Sequence, residues 1–435
     1  MNHKHKIIVI SFDGLGTDDW KTVSKMPGFA RFMEKAAYCD EVQSVYPTLT
    51  YPAHCSIATG RLPVHHRVVQ NLLLQPNRMA SPDWYWKRSY IQGKTIYEAA
   101  KEKGLKTAAF LWPVTAGAKI DYHVPEIFAN RKWDHQILAS LRSGSKKLQV
   151  ELFAKFGKLM KGIQEPYLDN FIHESVKYTL KKYEPDLTLI HFVDLDSMRH
   201  QHGHNSKEAL MALKRHDQRL TELMDLLEGE PVTWVVLGDH SSLDWNKGVR
   251  LNVLLQQEGL VTAAADGVNV QDYRVLAQEG DGSAYLYAHP SLREDEKEEL
   301  RNRLVGLFEK FSRENDDCIE AIFTGKEAGK LGADERCLLM LEAKAGYSLL
   351  DELKGDVIDR EARKTKATHG YLPSKPGYTT VFAMRGEKIR PGRVDGPMSL
   401  IDEGPTIAHI FGGTLPEADG QLRFEFFEAS ERNAQ

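Results

Sequence analysis

Short apolar runs that end at acidic residues, and that alternate with helical stretches, most limit how this chain can fold. The runs and the acids that follow them are 7–12 with Asp13, 187–192 with Asp194 and Asp196, and 233–237 with Asp239. Continuous apolar runs of this length are typical of strands buried on both faces of a parallel sheet. Their alternation with helices predicts an α/β fold with a mostly parallel central sheet and helices on both faces. The first of these helices is expected over 26–37.

Two regions depart from this rhythm. Residues 272–350 show a strand, a helix over 294–311 and further short strands. This order predicts a small α+β insertion at 272–350, with the main domain formed by 1–271 and 351–435. The second region, Lys146 to Lys161, has the pattern of a basic amphipathic helix. Such a helix can contact an anionic surface or act as a lid, but a solvated helix packed on the domain is favoured.

Composition narrows the class of protein. The chain has 435 residues, with 42% hydrophobic and 27% charged residues, which suits a soluble globular protein. The formal net charge of −4 gives no general attraction for nucleic acid. The four cysteines, which have no CxxC spacing, indicate neither a thiolate zinc site nor a redox motif. No apolar stretch is long enough to span a membrane, so a cytoplasmic protein with reduced thiols is the simplest expectation.

Histidines accompany the acids at the predicted strand ends. His200 follows Asp196 by one helical turn, His240 follows Asp239 directly, and His369 lies in a predicted loop. Ligands of parallel sheets bind beyond the carboxyl ends of the strands, so these side chains can converge there. Asp and His together favour zinc or a similar ion. There are more such ligands than one ion needs, and two ions about 3.5–4 Å apart suit in-line displacement at phosphorus.

Thr50 stands between Pro47 and Pro52, in Tyr-Pro-Thr-Leu-Thr-Tyr-Pro-Ala-His (46–54). Because residues before proline avoid the helical region, we expect an extended turn that leads into a helix. A hydroxyl there can cap the helix or act as a nucleophile, and capping is the commoner role. The ligands downstream favour the nucleophile, with Thr48 as the competing residue.

The whole set of motifs resembles the nucleotide pyrophosphatase/phosphodiesterase branch of the alkaline phosphatase superfamily. The family typically carries Thr-Phe-Pro-Asn-His followed by Thr-Gly, and this chain has Thr-Tyr-Pro-Ala-His followed by Thr-Gly within 50–60. Further motifs that match in order are Leu-Trp-Pro (111–113), Asp-Ser-Met-Arg-His-Gln-His-Gly (196–203), Gly-Asp-His (238–240) and Thr-His-Gly (368–370). The similarity spans roughly residues 6–260 and 355–415.

This resemblance implies a two-metal phosphohydrolase that cleaves phosphodiester or pyrophosphate bonds of small-molecule phosphate esters, with nucleotides as one class. One ion would be held by Asp196, His200 and His369. The other would be held by Asp13, Asp239, His240 and the Thr50 oxygen. Zn²⁺ is the expected metal, and Mn²⁺ is compatible with the same ligands.

The resemblance also assigns the reaction. Thr50 would attack phosphorus and form a phospho-threonine, and the side-chain amide of Asn71 would donate to a non-bridging oxygen. Trp112 is a further candidate for substrate binding. Neither a nucleic-acid polymer nor a membrane is expected as a partner, and the oligomeric state stays open.

Several alternatives remain at this point. A phosphonate hydrolase or a phosphomonoesterase would share the metal ligands, and Arg67 and Arg199, which depart from the family pattern, could favour a monoester. Arg199 is expected to face solvent. Asp194 competes with Asp196 as a ligand. A metal-dependent binding protein without turnover is a remote alternative. Trp84, Tyr85 and Trp86 would either stack on a flat group of the substrate or pack in the core.

Overall fold

The computed structural model describes residues 5–131, 135–360 and 365–429. Its strands are β1 Lys6–Phe12, β2 Ala36–Gln43, β3 Thr107–Phe110, β4 Tyr122–Val124, β5 Leu187–Phe192, β6 Val232–Leu237, β7 Leu243–Asp244, β8 Lys247–Arg250, β9 Val261–Ala263, β10 Val270–Tyr273, β11 Val275–Gly280, β12 Ser283–Ala288, β13 Ile319–Thr324, β14 Leu339–Ala343, β15 Tyr347–Leu350, β16 Ile358–Asp359, β17 Ala367–Thr368, β18 Thr380–Arg385, β19 Gly392–Arg393 and β20 Met398–Ser399.

Its α-helices are α1 Thr17–Val23, α2 Pro27–Met33, α3 Thr50–Thr59, α4 Pro63–His66, α5 Ile96–Glu102, α6 Gln136–Ser143, α7 Lys146–Phe156, α8 Tyr167–Tyr183, α9 Asp194–His202, α10 Lys207–Leu226, α11 Leu251–Gln257, α12 Glu294–Glu314, α13 Gly325–Lys330 and α14 Glu403–Ile410. No helix in the described ranges is both long and apolar enough to cross a membrane.

The central sheet has the strand order β19-β2-β18-β6-β1-β5-β3-β4, with β20 also beside β2. The strands from β6 to β4 run parallel to one another. The late strand β18 runs antiparallel to both of its neighbours, β6 and β2. The prediction of an α/β fold with a mostly parallel sheet is therefore confirmed, with one antiparallel strand inserted in it.

Alternate residues of β1 pack on opposite faces of this sheet, because side chains of a strand alternate in direction. Ile8 and Ile10 pack against α2, α8 and α10 on one face. Ile7 and Val9 pack against α3, α5 and α14 on the other face. Helices therefore cover both faces, which explains the continuous apolar sequence of β1.

A second, antiparallel sheet has the order β11-β12-β14-β13. The long helix α12 packs on it through Leu300, Leu304 and Phe308. The same apolar cluster extends back to Val249 in β8, which pairs with β15. The limits of 272–350 for a separate insertion stay a prediction.

Two local predictions from the sequence were wrong. A helix was expected over 26–37, but α2 ends at Met33 and Ala36 already begins β2. Tyr51, which precedes Pro52, was expected outside a helix but lies in the first turn of α3. Proline is tolerated in that turn because its missing N–H would have no partner within the helix.

Candidate metal centre and nucleophile

The central sheet brings the three strand-end acids to one edge. β6, β1 and β5 are adjacent and parallel, so their carboxyl ends meet. Asp13 directly follows β1, Asp239 follows β6 after one glycine, and Asp196 lies in the first turn of α9 beyond β5. The topology therefore gathers carboxylates that are far apart in the sequence, at the edge where α/β proteins bind ligands.

The first group of metal-binding atoms surrounds Asp196. Its Oδ2 lies 3.2 Å from His200 Nε2, one helical turn further along α9. Its Oδ1 lies 3.9 Å from His369 Nε2. One ligand atom from each of the three residues lies within 4.8 Å of the others. The structure thus brings these three predicted ligands together, at a spacing that a single cation can bridge.

The second group is centred on His240 Nε2. This nitrogen lies 3.1 Å from Thr50 Oγ1, and 3.3 Å from both Asp13 Oδ1 and Asp239 Oδ2. All four predicted residues of this group therefore converge. The two groups adjoin, because the His240 and His369 rings stack with their centroids 4.0 Å apart.

Two of the histidines are oriented as metal ligands usually are. His240 Nδ1 lies 3.2 Å from the carbonyl oxygen of Ser241, and His369 Nδ1 lies 3.1 Å from that of Thr48. A carbonyl oxygen can only accept, so in each ring Nδ1 carries the proton. Each Nε2 then presents a lone pair to the neighbouring acids, and a hydrogen-bonded Nδ1 is the usual arrangement in metal-ligating histidines.

The acids also fit a bound cation. Asp13 Oδ1, Asp196 Oδ1 and Asp239 Oδ2 are buried and accept no hydrogen bond from the described residues. A buried carboxylate oxygen without a partner is costly, and a cation bound between such oxygens removes that cost. Together with the imidazole nitrogens, these oxygens make a donor set that suits zinc or a similar ion.

The pKa shifts report the same crowding of charge. Burial raises the pKa of Asp239 to about 7, and raises that of Asp13 well above its usual range with help from the charges of Asp239 and Asp196. Burial lowers the pKa of His240 to about 4 and that of His369 to about 3. Burial therefore disfavours uncompensated carboxylates at Asp13 and Asp239 and protonated rings at His240 and His369. Against the lowering effect of burial, the charge of Asp196 raises the pKa of His200 to about 9. A divalent cation that displaces the remaining protons would supply the positive charge that these carboxylates lack.

Thr50 is the first residue of α3, and its side chain does not cap the helix. Leu49 is the N-cap residue, without a side-chain bond, and the Thr50 hydroxyl instead faces His240. His54 Nδ1–H donates to the Thr50 carbonyl oxygen at 2.8 Å, and Ser11 lies 2.9 Å from His54 Nε2. These contacts fix the first turn of α3 and aim the hydroxyl at the second ligand group.

Asn71 is held beside this turn. Its Oδ1 accepts from the backbone N–H of Tyr51 at 2.9 Å. Its backbone N–H donates to Gln70 Oε1, and its carbonyl oxygen accepts from Tyr85. Because Oδ1 is engaged next to Thr50, the amide group is fixed in orientation, with Nδ2 directed away from the Tyr51 nitrogen.

This geometry agrees with what known proteins indicate. A family profile described as type I phosphodiesterase / nucleotide pyrophosphatase matches residues 7–372. The chain belongs to this family. It is therefore a member of a family of hydrolases that act on phosphate esters and are typically metal-dependent.

The relatives of this phosphodiesterase family member are distant. Human ectonucleotide pyrophosphatase/phosphodiesterase family member 1 is 26% identical over 232 residues, covering 51% of this chain and 21% of that protein. Venom phosphodiesterase 2 of Crotalus adamanteus is 25% identical, covering 54% and 26%. Family member 7 of Rattus norvegicus is 24% identical, covering 56% and 51%. The matched region thus spans between a fifth and a half of these relatives.

Solved structures share the fold. Murine ectonucleotide pyrophosphatase/phosphodiesterase 5 has a TM-score of 0.62 and 16% identity, covering 96% of this chain and 97% of that one. An inactive threonine-to-alanine variant of it, in complex with AMP, has a TM-score of 0.61 and 15% identity, covering 96% and 98%.

Three residues of this phosphodiesterase site were not singled out from the sequence. His191 Nε2 lies 3.1 Å from Asp13 Oδ2, and His54 lies against both His191 and Asp239. Burial raises the pKa of Glu126 to about 7, against the lowering effect of His191 and Tyr51. The sequence signal that could have identified His191 is its position as a polar residue inside the largely apolar run 187–192.

Three sequence candidates lie outside the site. Asp194 pairs with Arg215 and Arg219 instead of a metal-binding group. The Thr48 hydroxyl donates to the carbonyl oxygen of Tyr371. Arg67 pairs with Glu335 at 3.6 Å.

The expectation that Arg199 faces solvent was wrong. Its side chain is buried, and its guanidinium donates to Asp19 and to the carbonyl oxygens of Gly14 and His204. Through its contacts with Gly14 and Asp19, Arg199 ties α9 to the segment after β1. A buried cation needs such partners, and a guanidinium held by them is not placed to bind a phosphate.

The structure also contradicts substrate binding by Trp112. This side chain is fully buried, and its ring meets His54 edge to face at 4.9 Å. It therefore packs against α3, the helix that begins at Thr50. Trp84 packs on Tyr51, with ring centroids 5.3 Å apart, and Trp86 belongs to the same apolar cluster.

Proposed function

We propose that the chain is a two-metal phosphodiesterase that cleaves phosphodiester or pyrophosphate bonds of small molecules, nucleotides among them, through a phospho-threonine on Thr50. The observation that carries the proposal is the convergence of Thr50, Asp13 and Asp239 on His240 Nε2 within 3.3 Å. A binding protein would have no use for a hydroxyl aimed at that point.

Each residue has a definite part in this proposal. The Thr50 oxygen attacks phosphorus, and the bond from phosphorus to the leaving oxygen breaks as the new ester forms. Asn71, fixed by Tyr51, donates from Nδ2 to a non-bridging phosphate oxygen as charge moves onto it. Water then cleaves the Thr50 ester and restores the hydroxyl. Divalent cations held by the two ligand groups would supply positive charge and lower the pKa of a coordinated hydroxyl.

The surroundings of the site support a diester in preference to a monoester. A monoester carries an additional negative charge, for which Arg67 and Arg199 were the candidate partners. Arg199 is buried with Asp19, and Arg67 pairs with Glu335, so neither faces the site. The AMP complex of the related inactive threonine variant supports nucleotides as one substrate class and a threonine as the reacting residue.

A substrate panel tests the proposal. Turnover of a bis-aryl phosphate, an aryl phosphate and an aryl phosphonate should be compared on the zinc-loaded and manganese-loaded protein. We expect the diester to react fastest. Faster turnover of the monoester or the phosphonate would favour a phosphomonoesterase or a phosphonate hydrolase of the same superfamily, and loss of all turnover would favour a binding protein.

A further inference from the structure

Residues 136–163, which form α6, α7 and the turn after them, carry an unusual share of exposed apolar surface. Six of the ten large apolar side chains that are exposed in the described ranges lie in this segment: Ile137, Leu138, Val150, Phe153, Leu159 and Ile163. Scattered apolar residues on a surface need no explanation, but a cluster marks a site of interaction.

Four of these side chains converge on one cavity. Ile137, Val150, Phe153 and Ile163 line a cavity of about 400 Å³, together with Leu111, Val124, Leu168 and Ile172 of the domain behind them. This volume falls in the range of about 300–1,000 Å³ that ligand pockets occupy. These four side chains therefore surround one apolar recess, and Leu138 and Leu159 add exposed apolar surface in the same segment.

The polar groups at this recess are already paired. Ser140 Oγ donates to Gln149 Oε1 at 2.7 Å, and Gln149 Nε2 donates back to the Ser140 carbonyl oxygen at 2.9 Å. Gln136 Nε2 donates to the Ile127 carbonyl oxygen at 2.7 Å. Because these side chains bond within the protein, the recess suits an apolar occupant.

The same segment is strongly basic. Residues 136–163 contain six cationic residues and one acidic residue, a formal charge of +5 in a chain of net charge −4. The cations, which are all exposed and pair with no described carboxylate, are Arg142, Lys146, Lys147, Lys155, Lys158 and Lys161. Glu151, the single acid, accepts from Tyr178, Lys182 and Tyr183.

We propose that the face formed by residues 136–163 docks onto an anionic lipid membrane. Val150, Phe153 and their apolar neighbours would enter the acyl boundary, and the lysines would contact the anionic head groups, as in interfacial helices. A second copy of the chain is a poor occupant, because two faces of charge +5 would repel one another. This proposal departs from the expectation that the helix is solvated and that the protein has no membrane partner. It does not depend on the proposed catalytic function.

Vesicle sedimentation tests the docking surface. The protein should be mixed with vesicles of phosphatidylcholine alone and of phosphatidylcholine with one quarter phosphatidylglycerol, at low and high salt. We expect binding to the anionic vesicles only, and release at high salt. Val150→Asp with Phe153→Asp, and separately Lys155→Glu with Lys158→Glu, should each weaken binding at least about tenfold.

A matched control uses another exposed apolar pair, Leu210 and Met211 on α10. Leu210→Asp with Met211→Asp should leave vesicle binding unchanged, and circular dichroism should show that every variant folds. Absence of binding to anionic vesicles would overturn the proposal. So would equal loss in the α10 control, or self-association that only Val150→Asp with Phe153→Asp abolishes.

Discussion

At the scale of single residues, Asp194 and Asp196 show how the fold separates two acids that the sequence places side by side. Asp194 is buried and receives bidentate donation from Arg215, with Arg219 also in contact. Among the described residues, Asp196 has His200 as its close partner, and its Oδ1 accepts no hydrogen bond. The first acid is therefore satisfied by protein cations, and the second has room for a metal ion.

Substitution should separate the two roles. Asp196→Asn should lower hydrolysis more than about 100-fold, beyond the effect of losing an outer-shell partner, and reduce bound metal. Asp194→Asn should retain metal but destabilise the fold by about 1–3 kcal/mol, because the partly buried Arg215 loses its carboxylate partner and the buried Arg219 loses one of its two. Metal analysis by mass spectrometry and urea unfolding measure both. Loss of metal from the Asp194 variant, with Asp196→Asn unaffected, would exchange the assignments.

His66 makes a prediction about pH. It is fully buried, and burial lowers its pKa to about 3. The backbone N–H of Val68 donates to Nδ1, and Ser56 lies 3.0 Å from Nε2, so the neutral ring is the form that fits. Between pH 6.5 and 3 the unfolded side chain binds a proton that the folded one does not. Stability should therefore fall as pH falls through this window.

His66 should contribute a loss of about 1.4 kcal/mol in the free energy of unfolding for each pH unit below 6.5. His66→Gln should reduce the dependence of the free energy of unfolding on pH in this window by that amount, although it lowers stability at pH 7. His65→Gln, at the adjacent exposed histidine, is the control. An unchanged slope in His66→Gln, measured by urea unfolding at several pH values, would exclude His66 as a source of acid sensitivity.

At the scale of elements, the contact between α2 and α10 depends on one glycine. A Cβ added to Gly28 would lie 2.2 Å from Thr221 Oγ1 and 2.5 Å from the Asp217 carbonyl oxygen. The two helices are therefore as close as a glycine allows. Asp217 Oδ1 also accepts from the Phe29 backbone N–H at 2.8 Å, which fixes the start of α2.

Gly28→Ala should destabilise the protein by about 1–3 kcal/mol, because the backbone of α10 must shift. Gly306→Ala in α12 is the matched control, since a Cβ there meets nothing within 4 Å. It should be neutral or stabilise by up to about 1 kcal/mol. Thermal unfolding of both variants checks the pair. Equal effects would show that the contact between α2 and α10 is not tight.

The elements could be predicted from sequence where their apolar pattern is long. β1, β5 and β6 are largely apolar because they lie in the middle of the sheet, and each was expected within a residue of its observed start. β2 was missed because its buried residues, among them Ala36, Ala37 and Cys39, are small and alternate with exposed ones. Its pairing with β18 across more than 300 residues leaves no local signal.

At the scale of the whole molecule, the two ligand groups join segments that are distant in sequence. Asp13, Asp196 and Asp239 follow three different strands of the central sheet, and His369 directly follows β17. A cation that binds only the folded chain therefore stabilises the whole fold. Asp13, Asp196 and Asp239 each keep one buried oxygen that accepts no hydrogen bond from the described residues, and a bound cation would satisfy these oxygens.

Removal of metal should lower both activity and stability. Treatment with EDTA should abolish hydrolysis and lower the melting temperature. Added Zn²⁺ at 100 times its dissociation constant should restore about 2.7 kcal/mol of stability. Asp196→Asn should show a smaller shift with EDTA than the unmodified protein, as measured by differential scanning fluorimetry. A melting temperature that does not respond to EDTA would contradict binding at these residues.

The candidate ligands were accessible from sequence because strand-end acids and nearby histidines form recognisable motifs. The residues that surround these ligands could not be predicted from the sequence. Arg199 was expected to face solvent because nothing in its own segment of the sequence indicates that Asp19, from a distant segment, pairs with it in the folded protein. His191 lies in β5 and Glu126 lies two residues after β4, and only the strand order reveals that both reach the site. The predicted cytoplasmic location stays a prediction.

Trapping the covalent intermediate tests the central claim most directly. The metal-loaded protein should be mixed with a bis-aryl phosphate, quenched in acid within the first turnover, and digested for peptide mass spectrometry, with Thr50→Ala and Thr48→Ala treated in parallel. We expect an aryl phosphoryl ester on Thr50, formed with release of one aryl alcohol, in the unmodified protein and in Thr48→Ala, and none in Thr50→Ala. Hydrolysis by Thr50→Ala at unchanged metal content, or an adduct on another residue, would contradict the account.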